Sequence, residues 1–290
     1  MKCTKCNKRA VFLKPKLCKA HFIAYFENKI KSTIVKFSLI NKNDKIIVAT
    51  SGGKDSLSCL LALSKLYPGV EGLLIDEGIS EYRNYTIKDL QLFCKSRNIK
   101  YRVVSFKKEF GFSLDYAVKK TGENPCTLCG ILRRYLLNKS SAGFDVIATG
   151  HNMDDEAQAI IMNLLRYNIN LLARLGPKTG KTNSEMFVQR IKPMYFITEK
   201  ESMAYSYLNN LKTKYVECPY VQSSYRAKVR DFLNESSIKD INRNIILSFL
   251  KIQKKIKPNS NDGMLRKCEK CGQPSQNQIC NACCFLKKIK

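Results

Sequence analysis

Ile46-Ile47-Val48-Ala49-Thr50-Ser51-Gly52-Gly53-Lys54-Asp55-Ser56-Leu57-Ser58 is the stretch around which the rest of the chain is organised. Four unbroken apolar residues read as a buried strand, the glycines and serines as a turn, and Leu57, Leu60, Leu61 and Leu63 as the start of a helical face. Strand, glycine turn and helix together suit phosphate binding. Gly52 and Gly53 can take backbone angles closed to other residues, so successive N–H groups can converge on an anion at the positive end of the helix. Ser51 and Ser56 add hydroxyl donors and Lys54 a positive charge.

The spacing G-x-x-x-x-G-K-[ST] of a Walker A loop is absent. Ser51-Gly52-Gly53-Lys54-Asp55-Ser56 instead resembles the PP-loop of the N-type ATP pyrophosphatases. The resemblance implies an adenine nucleotide alpha hydrolase-like fold, in which these six residues hold the pyrophosphate part of ATP and release it whole, leaving an adenylated substrate. The bland alternative is a strand-helix turn with no ligand.

Working outward, Val70 to Ile75 reads as a second strand ending at Asp76-Glu77-Gly78, followed by a helix containing Leu90, Leu92 and Phe93. Tyr101 to Phe106 makes a third strand, and Asp145 to Thr149 a fourth. Strands alternating with helices predict an α/β fold with a doubly wound parallel sheet, whose ligand crevice lies beyond the strand C-termini. The fourth strand runs into Gly150-His151-Asn152-Met153-Asp154-Asp155-Glu156. Asn152 can cap the helix that follows, with acidic residues in its favourable first turn. An acidic cluster facing a triphosphate could also hold Mg2+. PP-loop tRNA-modifying enzymes carry a similar Gly-His-Asn-x-Asp-Asp here, which implies that Gly150, His151, Asp154 and Asp155, with Asp76, belong to the ATP site. His151 could otherwise be a packed core imidazole.

The 290 residues allow one large domain or two, and 51 Lys and Arg against 24 Asp and Glu give a formal charge of +27. Such an excess favours a polyanionic partner such as RNA or DNA, although a lysine-rich proteome would produce it too. No apolar run reaches the roughly 18 residues of a membrane span, and Met1-Lys2-Cys3-Thr4-Lys5-Cys6 lacks a signal peptide's apolar segment. A cytoplasmic protein with no membrane partner is expected. In that compartment 13 cysteines point to metal or catalytic use rather than to disulfides.

Cysteine spacing agrees. Cys3-x2-Cys6, eleven residues, then Cys18-x2-His21 supplies four ligands for a closed tetrahedral Zn2+ site, and Cys268-x2-Cys271, eight residues, then Cys280-x2-Cys283 supplies a second. With no ligand position left open, both zincs read as structural. Cys284 is a spare that could replace Cys283. The predicted organisation is an N-terminal zinc finger over 1–25, a body over 26–257 entered by a helix from about Ala20 to Leu39, and a zinc ribbon over 264–290. Lys257-Pro258-Asn259-Ser260-Asn261-Asp262-Gly263 is a linker by composition.

Cys126-x2-Cys129 opens a helix predicted to run to about Ser140, and Cys218 precedes Pro219. One Cys-x-x-Cys plus a distant cysteine is compatible with a [4Fe–4S] cluster having one iron free, with a reactive thiol set, or with catalytic zinc. The PP-loop, this cysteine trio and zinc motifs at both ends together resemble the archaeal and eukaryotic tRNA uridine 2-thiolation enzymes. Bacterial tRNA 2-thiocytidine synthetase is similar in its core but lacks the terminal zinc pair. The resemblance implies an ATP-dependent tRNA 2-thiouridine synthetase that adenylates the C2 oxygen of a uridine and replaces it with sulfur. It further implies catalytic roles for Cys126, Cys129 and Cys218 on a [4Fe–4S] cluster or as a persulfide. ATP, Mg2+ and two Zn2+ complete the cofactors, with tRNA as substrate and a homodimer as assembly. The sulfur donor could be sulfide, a persulfide carrier or a ubiquitin-like thiocarboxylate, and the target uridine position 34 or 54. Gln158 departs from the threonine that relatives often carry there. Two other readings remain: a non-catalytic zinc-ribbon RNA-binding protein, which predicts a damaged loop or lost central cysteines, and a PP-loop enzyme transferring nitrogen, which leaves those cysteines unused.

Ile160, Ile161, Leu164 and Leu165 continue the helix after the acidic cluster, and Asn168 to Met186, with Arg174, Lys178 and Lys181, reads as an exposed basic flap. Thr198 with Glu201 fits a capping box opening a helix to about Leu211. Tyr225, Arg226, Lys228 and Arg230 form a helical patch suited either to nucleic acid or to solvent, and Lys287, Lys288 and Lys290 give the tail a positive charge.

Overall fold

The computed structural model describes residues 1–179, 187–214, 216–221, 224–256 and 266–289. A hairpin of β1 (Phe12–Leu13) and β2 (Lys16–Leu17) leads into α1 (Lys19–Lys36). Next come β3 (Ile46–Thr50), α2 (Lys54–Leu66), β4 (Glu71–Asp76), α3 (Arg83–Ser96), β5 (Tyr101–Ser105), α4 (Phe106–Phe110), α5 (Leu114–Thr121) and α6 (Pro125–Ser140). The second half supplies β6 (Val146–Thr149), α7 (Met153–Leu165), α8 (Ile169–Ala173), β7 (Lys178–Thr179), β8 (Gln189–Ile191), α9 (Glu199–Leu208), α10 (Tyr225–Glu235) and α11 (Ile241–Ile252). A last module contains β9 (Arg266–Lys267), β10 (Pro274–Ser275) and α12 (Asn281–Ile289).

The main sheet has the order β5-β4-β3-β6-β8-β7. Five strands run parallel, and β7 pairs antiparallel with β8 at the edge. The expected doubly wound parallel sheet is therefore present, with two further strands, β8 and the edge strand β7, that the sequence reading did not mark. From β3 the chain moves outward through β4 to β5, then crosses back to place β6 on the other side of β3. This reversal is the topological switch point where open parallel sheets bind ligands. Both Ser51, after β3, and Gly150, after β6, stand at it.

Alternation along β3 explains why it is apolar throughout. Ile46 and Val48 enter one core with Phe22, Phe26, Leu57, Leu60 and Tyr205, whereas Ile47 enters the opposite core with Leu128, Leu132 and Ile147. Cys3 and Cys18 of the N-terminal module belong to the first core, and Cys268, Cys280 and Cys283 of the C-terminal module to the second. Each cysteine module thus buries its sulfurs against one face of the body.

Helix ends follow local chemistry. Asn124 accepts from the Thr127 N–H at 3.0 Å and Pro125 opens α6. The Thr198–Glu201 capping box opens α9, which stops at Leu208, short of Leu211. α1 stops at Lys36, short of Leu39. Leu92 lies on α3 as expected but is 58% exposed, on its outer face. The linker from Lys257 to Gly263, Lys181 of the flap and Lys290 lie outside the described residues. No described helix is long and apolar enough to cross a membrane.

Ile47→Ala removes a fully buried side chain shared by the central strand and α6, so a loss of about 2–5 kcal/mol in unfolding free energy is expected from a urea titration.

Candidate active site

The turn between β3 and α2 is three residues long. Gly52 has φ +82°, and a Cβ there would stand 2.2 Å from the Thr86 carbonyl oxygen, so only glycine fits. Gly53, at φ −83° and ψ 166°, has an ordinary extended N-cap geometry, so the conformational freedom expected of both glycines is used by one. The Ser51 N–H donates to Ser56 Oγ at 3.1 Å, and Ser56 Oγ donates to the Gly53 carbonyl at 2.9 Å. These bonds hold the loop open at the N-terminus of a 13-residue helix. Gly150 closes the other side: a Cβ there would meet the Ser56 backbone at 2.8 Å.

Asn152 accepts from the N–H groups of Asp154 and Asp155 at 2.9 and 3.0 Å, and Asp155 Oδ2 accepts from the Asn152 N–H at 3.1 Å, which completes a capping box for α7. Asp154 accepts from the Glu199 N–H at 2.9 Å and from Asn242 Nδ2 at 2.8 Å. Asp155 pairs with Arg226 at 3.3 Å, and Lys54 bridges Asp55 at 2.8 Å and Glu199 at 3.1 Å. Asp55, Asp154, Asp155 and Glu199 face one cavity of about 140 Å³, and Gln158 lines it too. Burial raises the pKa of Asp154 and Asp155, with Arg226 opposing it at Asp155. Glu156 turns away into a buried pair with Lys192 at 2.6 Å.

His151 and Asp76 take other positions. His151 is exposed, with Nδ1 3.0 Å from Thr149 Oγ1, and the surrounding protein together with the nearby Lys192 shifts its pKa downward, towards the neutral imidazole. Asp76, at the end of β4, accepts from the Gly78 N–H at 2.9 Å and shapes its own turn.

Beside the loop stands the cysteine trio. Cys126 and Cys129 occupy the first two turns of α6, with Cys126 Sγ 3.8 Å from the Tyr220 carbonyl in the Cys218 segment. Cys129 Sγ lies 3.9 Å from Glu77 Oε1, and burial raises its thiol to about 11 against the pull of Arg133. Glu77, fully buried, pairs with Arg83, and Arg83 Nη1 donates to the Ser51 carbonyl at 3.0 Å. Arg133 reaches the same carboxylate at 3.7 Å. Glu77 and Arg83 therefore join the thiols to the phosphate loop, and the sequence reading assigned neither a role. A buried charge must be paired, but burial is not written in local spacing.

Among the described residues two quartets hold their ligand atoms within 4.8 Å of one another: Cys3, Cys6, Cys18 and His21, and Cys268, Cys271, Cys280 and Cys283. The Cys6–Cys18 and Cys271–Cys280 sulfur distances are both 3.7 Å. Zn–S bonds of about 2.3 Å in a tetrahedron place sulfurs about 3.8 Å apart, so both donor sets fit zinc. Cys284 is exposed, its thiol 3.9 Å from the Ile279 carbonyl, and Cys283 is the member that turns inward. Cys126, Cys129 and Cys218 do not form such a tight group. Cys59 and Cys94 are buried thiols, both raised to about 12 by burial, and belong to the core.

The PP-loop domain family matches residues 23–237. The tRNA-5-methyluridine(54) 2-sulfurtransferase of Pyrococcus horikoshii is 36% identical, covering 99% of this chain and 95% of that protein. The cytoplasmic tRNA 2-thiolation protein 1 of Xenopus laevis is 33% identical, covering 100% of this chain and 88% of its own length. Among solved structures, the U34-tRNA thiolase NcsA from Methanococcus maripaludis with its [4Fe–4S] cluster superposes with a TM-score of 0.82 at 32% identity, covering 99% of this chain and 96% of that one.

Cys283→Ser is expected to reduce bound zinc from two to one per chain and to lower the melting temperature, whereas Cys284→Ser keeps both zincs. Elemental analysis of the two purified variants, with thermal melts, separates these outcomes.

Proposed function

The chain belongs to the PP-loop family, among the tRNA 2-thiolation enzymes, and from that premise we propose that it is an ATP-dependent tRNA 2-thiouridine synthetase. The observation that carries this reading is the connection from Cys129 through Glu77 and Arg83 to Ser51, which supports joint action of the cysteine trio and the PP-loop.

In this reading the pyrophosphate part of ATP lies on Ser51, Gly52, Gly53, Lys54, Asp55 and Ser56, against the N-terminal amides of α2. Lys54 exchanges its contacts with Asp55 and Glu199 for phosphate oxygens. Asp55, Asp154 and Asp155 are the carboxylates that would hold Mg2+, and they face one cavity. The C2 oxygen of a uridine attacks the α-phosphorus, a new O–P bond forms, and pyrophosphate departs with the electron pair of the broken bond. Charge developing on that leaving group meets donors already in place, so the loop need not rearrange during the step. A sulfur nucleophile then attacks C2, the C2–O bond breaks, and AMP leaves.

Cys126, Cys129 and Cys218 present the sulfur. Their three thiolates would hold a [4Fe–4S] cluster, which would supply the chemistry for holding the incoming sulfur. Sulfide as donor keeps the exchange redox-neutral: oxygen leaves as part of AMP, and the proton of HS⁻ is released. A ubiquitin-like thiocarboxylate protein would deliver sulfur at the same oxidation level, its acyl–sulfur bond being hydrolysed to a carboxylate, whereas a persulfide carrier would need two electrons from a thiol pair that becomes a disulfide. Glu77 holds Arg83 on the Ser51 carbonyl and lies against Cys129, so it sets the distance between the two half-sites.

Lys54→Ala should slow thiolation by about 10²–10³ while leaving tRNA affinity near wild type. Cys218→Ser should abolish thiolation yet retain both zincs and ATP binding. Nucleoside mass spectrometry of tRNA incubated with ATP and sulfide reads the first quantity, and filter binding the second. Full thiolation by Cys218→Ser would contradict the assignment.

A further inference from the structure

A second and larger cavity, of about 780 Å³, lies between α6, the β7–β8 edge and the C-terminal cysteine module. Arg134, Arg174, Lys178 and Arg190 line it, and none of the described lining residues is an Asp or Glu. Among the described residues Arg134, Lys178 and Arg190 form no ion pair. Arg190 Nη2 reaches only the Arg134 carbonyl, at 3.4 Å. Arg134 is exposed in the cleft and Arg190 half-buried. Partial loss of water contact and the neighbouring arginines hold both guanidinium groups below their ordinary pKa, Arg190 at about 10. Cations gathered without a counter-charge repel one another, and an entering anion relieves that repulsion.

The cleft begins where the cysteine site ends. Cys129 and Arg133 are one helical turn apart on α6, and Gly130 and Arg134 form the next such pair. At Gly130 a Cβ would stand 3.3 Å from Arg134 Nη1, so the absence of a side chain there lets the guanidinium lie close along the helix. Tyr135 and Phe187 add aromatic rings to the walls, and Gln273 and Asn277 of the C-terminal module add amides. The volume is far larger than one phosphate needs. Fork-shaped cations, aromatic faces and amides together match a stretch of nucleic acid strand better than an isolated anion.

We propose that this cleft holds the tRNA strand next to the target uridine, with Arg134 and Arg190 each taking a backbone phosphate and Tyr135 or Phe187 stacking on a base. The proposal rests on the thiolation reading above, and it makes the C-terminal module one wall of the RNA site. Lys178 extends the positive surface toward the outside of the cleft, where a continuing strand would run.

The test uses full-length, metal-loaded protein and an unmodified tRNA transcript. Relative to wild type, the double variant Arg134→Ala with Arg190→Ala should bind tRNA at least tenfold more weakly at low salt. Its slope of log affinity against log salt should fall by about 1.4–1.8, the value for two lost phosphate contacts. ATP binding should be unchanged, and Arg134→Lys with Arg190→Lys should recover most of the affinity. Unchanged tRNA affinity and slope would overturn the proposal. So would a defect confined to transfer from a protein sulfur donor, which would assign the cleft to that protein. If the double variant loses zinc or melts early, ultraviolet crosslinking of wild-type protein to tRNA decides: crosslinks at Tyr135 or Phe187 support the cleft, and crosslinks only elsewhere overturn it. Wild-type protein that binds tRNA without thiolating it would refute the functional reading separately, since the binding comparison still judges the cleft.

Discussion

The buried ion pair of Glu77 with Arg83 is the constraint on which the site depends. A carboxylate wholly removed from water is tolerated only with a close partner, and losing one member of such a pair commonly costs about 3–5 kcal/mol. Arg83 also holds the Ser51 carbonyl, and Glu77 faces both Cys129 and Arg133. The pair thus fixes the end of β4, the turn after β3 and the start of α6 relative to one another. An apolar pair of similar volume could not bond the Ser51 carbonyl while lying against a thiol.

Around that pair the fold supplies two close approaches. The parallel sheet reverses direction between β3 and β6, which brings the turns after both strands to one crevice. Gly52 passes the Thr86 carbonyl and Gly150 passes Ser56 at distances that exclude a side chain. Carboxylates from three turns then meet at one cavity, where Lys54 and Arg226 balance them. The two cysteine quartets act at the opposite faces, each closing one hydrophobic core. On the C-terminal side this places a small module directly across from α6, which makes the cationic cleft.

Much of this was legible because it is local. The strand and turn from Ile46 to Ser56, the Asn152 and Thr198 caps, and the Cys-x-x-Cys spacings all depend on residues within a few positions of one another. What escaped depends on distant partners. Lys178–Thr179 and Gln189–Ile191 are too short and too polar to show a strand period, and they become strands only by pairing. Glu77 and Arg83 look like ordinary surface charges until the fold buries them. Lys54 looked like a cation waiting for phosphate, yet Asp55 and Glu199 already engage it. The choice of Cys283 over Cys284 turns on which side of α12 faces the core.

The most direct test of the account follows an oxygen atom. A tRNA transcript whose target uridine carries ¹⁸O at C2 is thiolated with ATP and sulfide, and the phosphorus products are weighed. The account predicts one ¹⁸O in each AMP formed, with unlabelled pyrophosphate and one AMP per thiolated uridine. Label released into water or pyrophosphate, with unlabelled AMP, would show that the base is not adenylated through its C2 oxygen and would contradict the account.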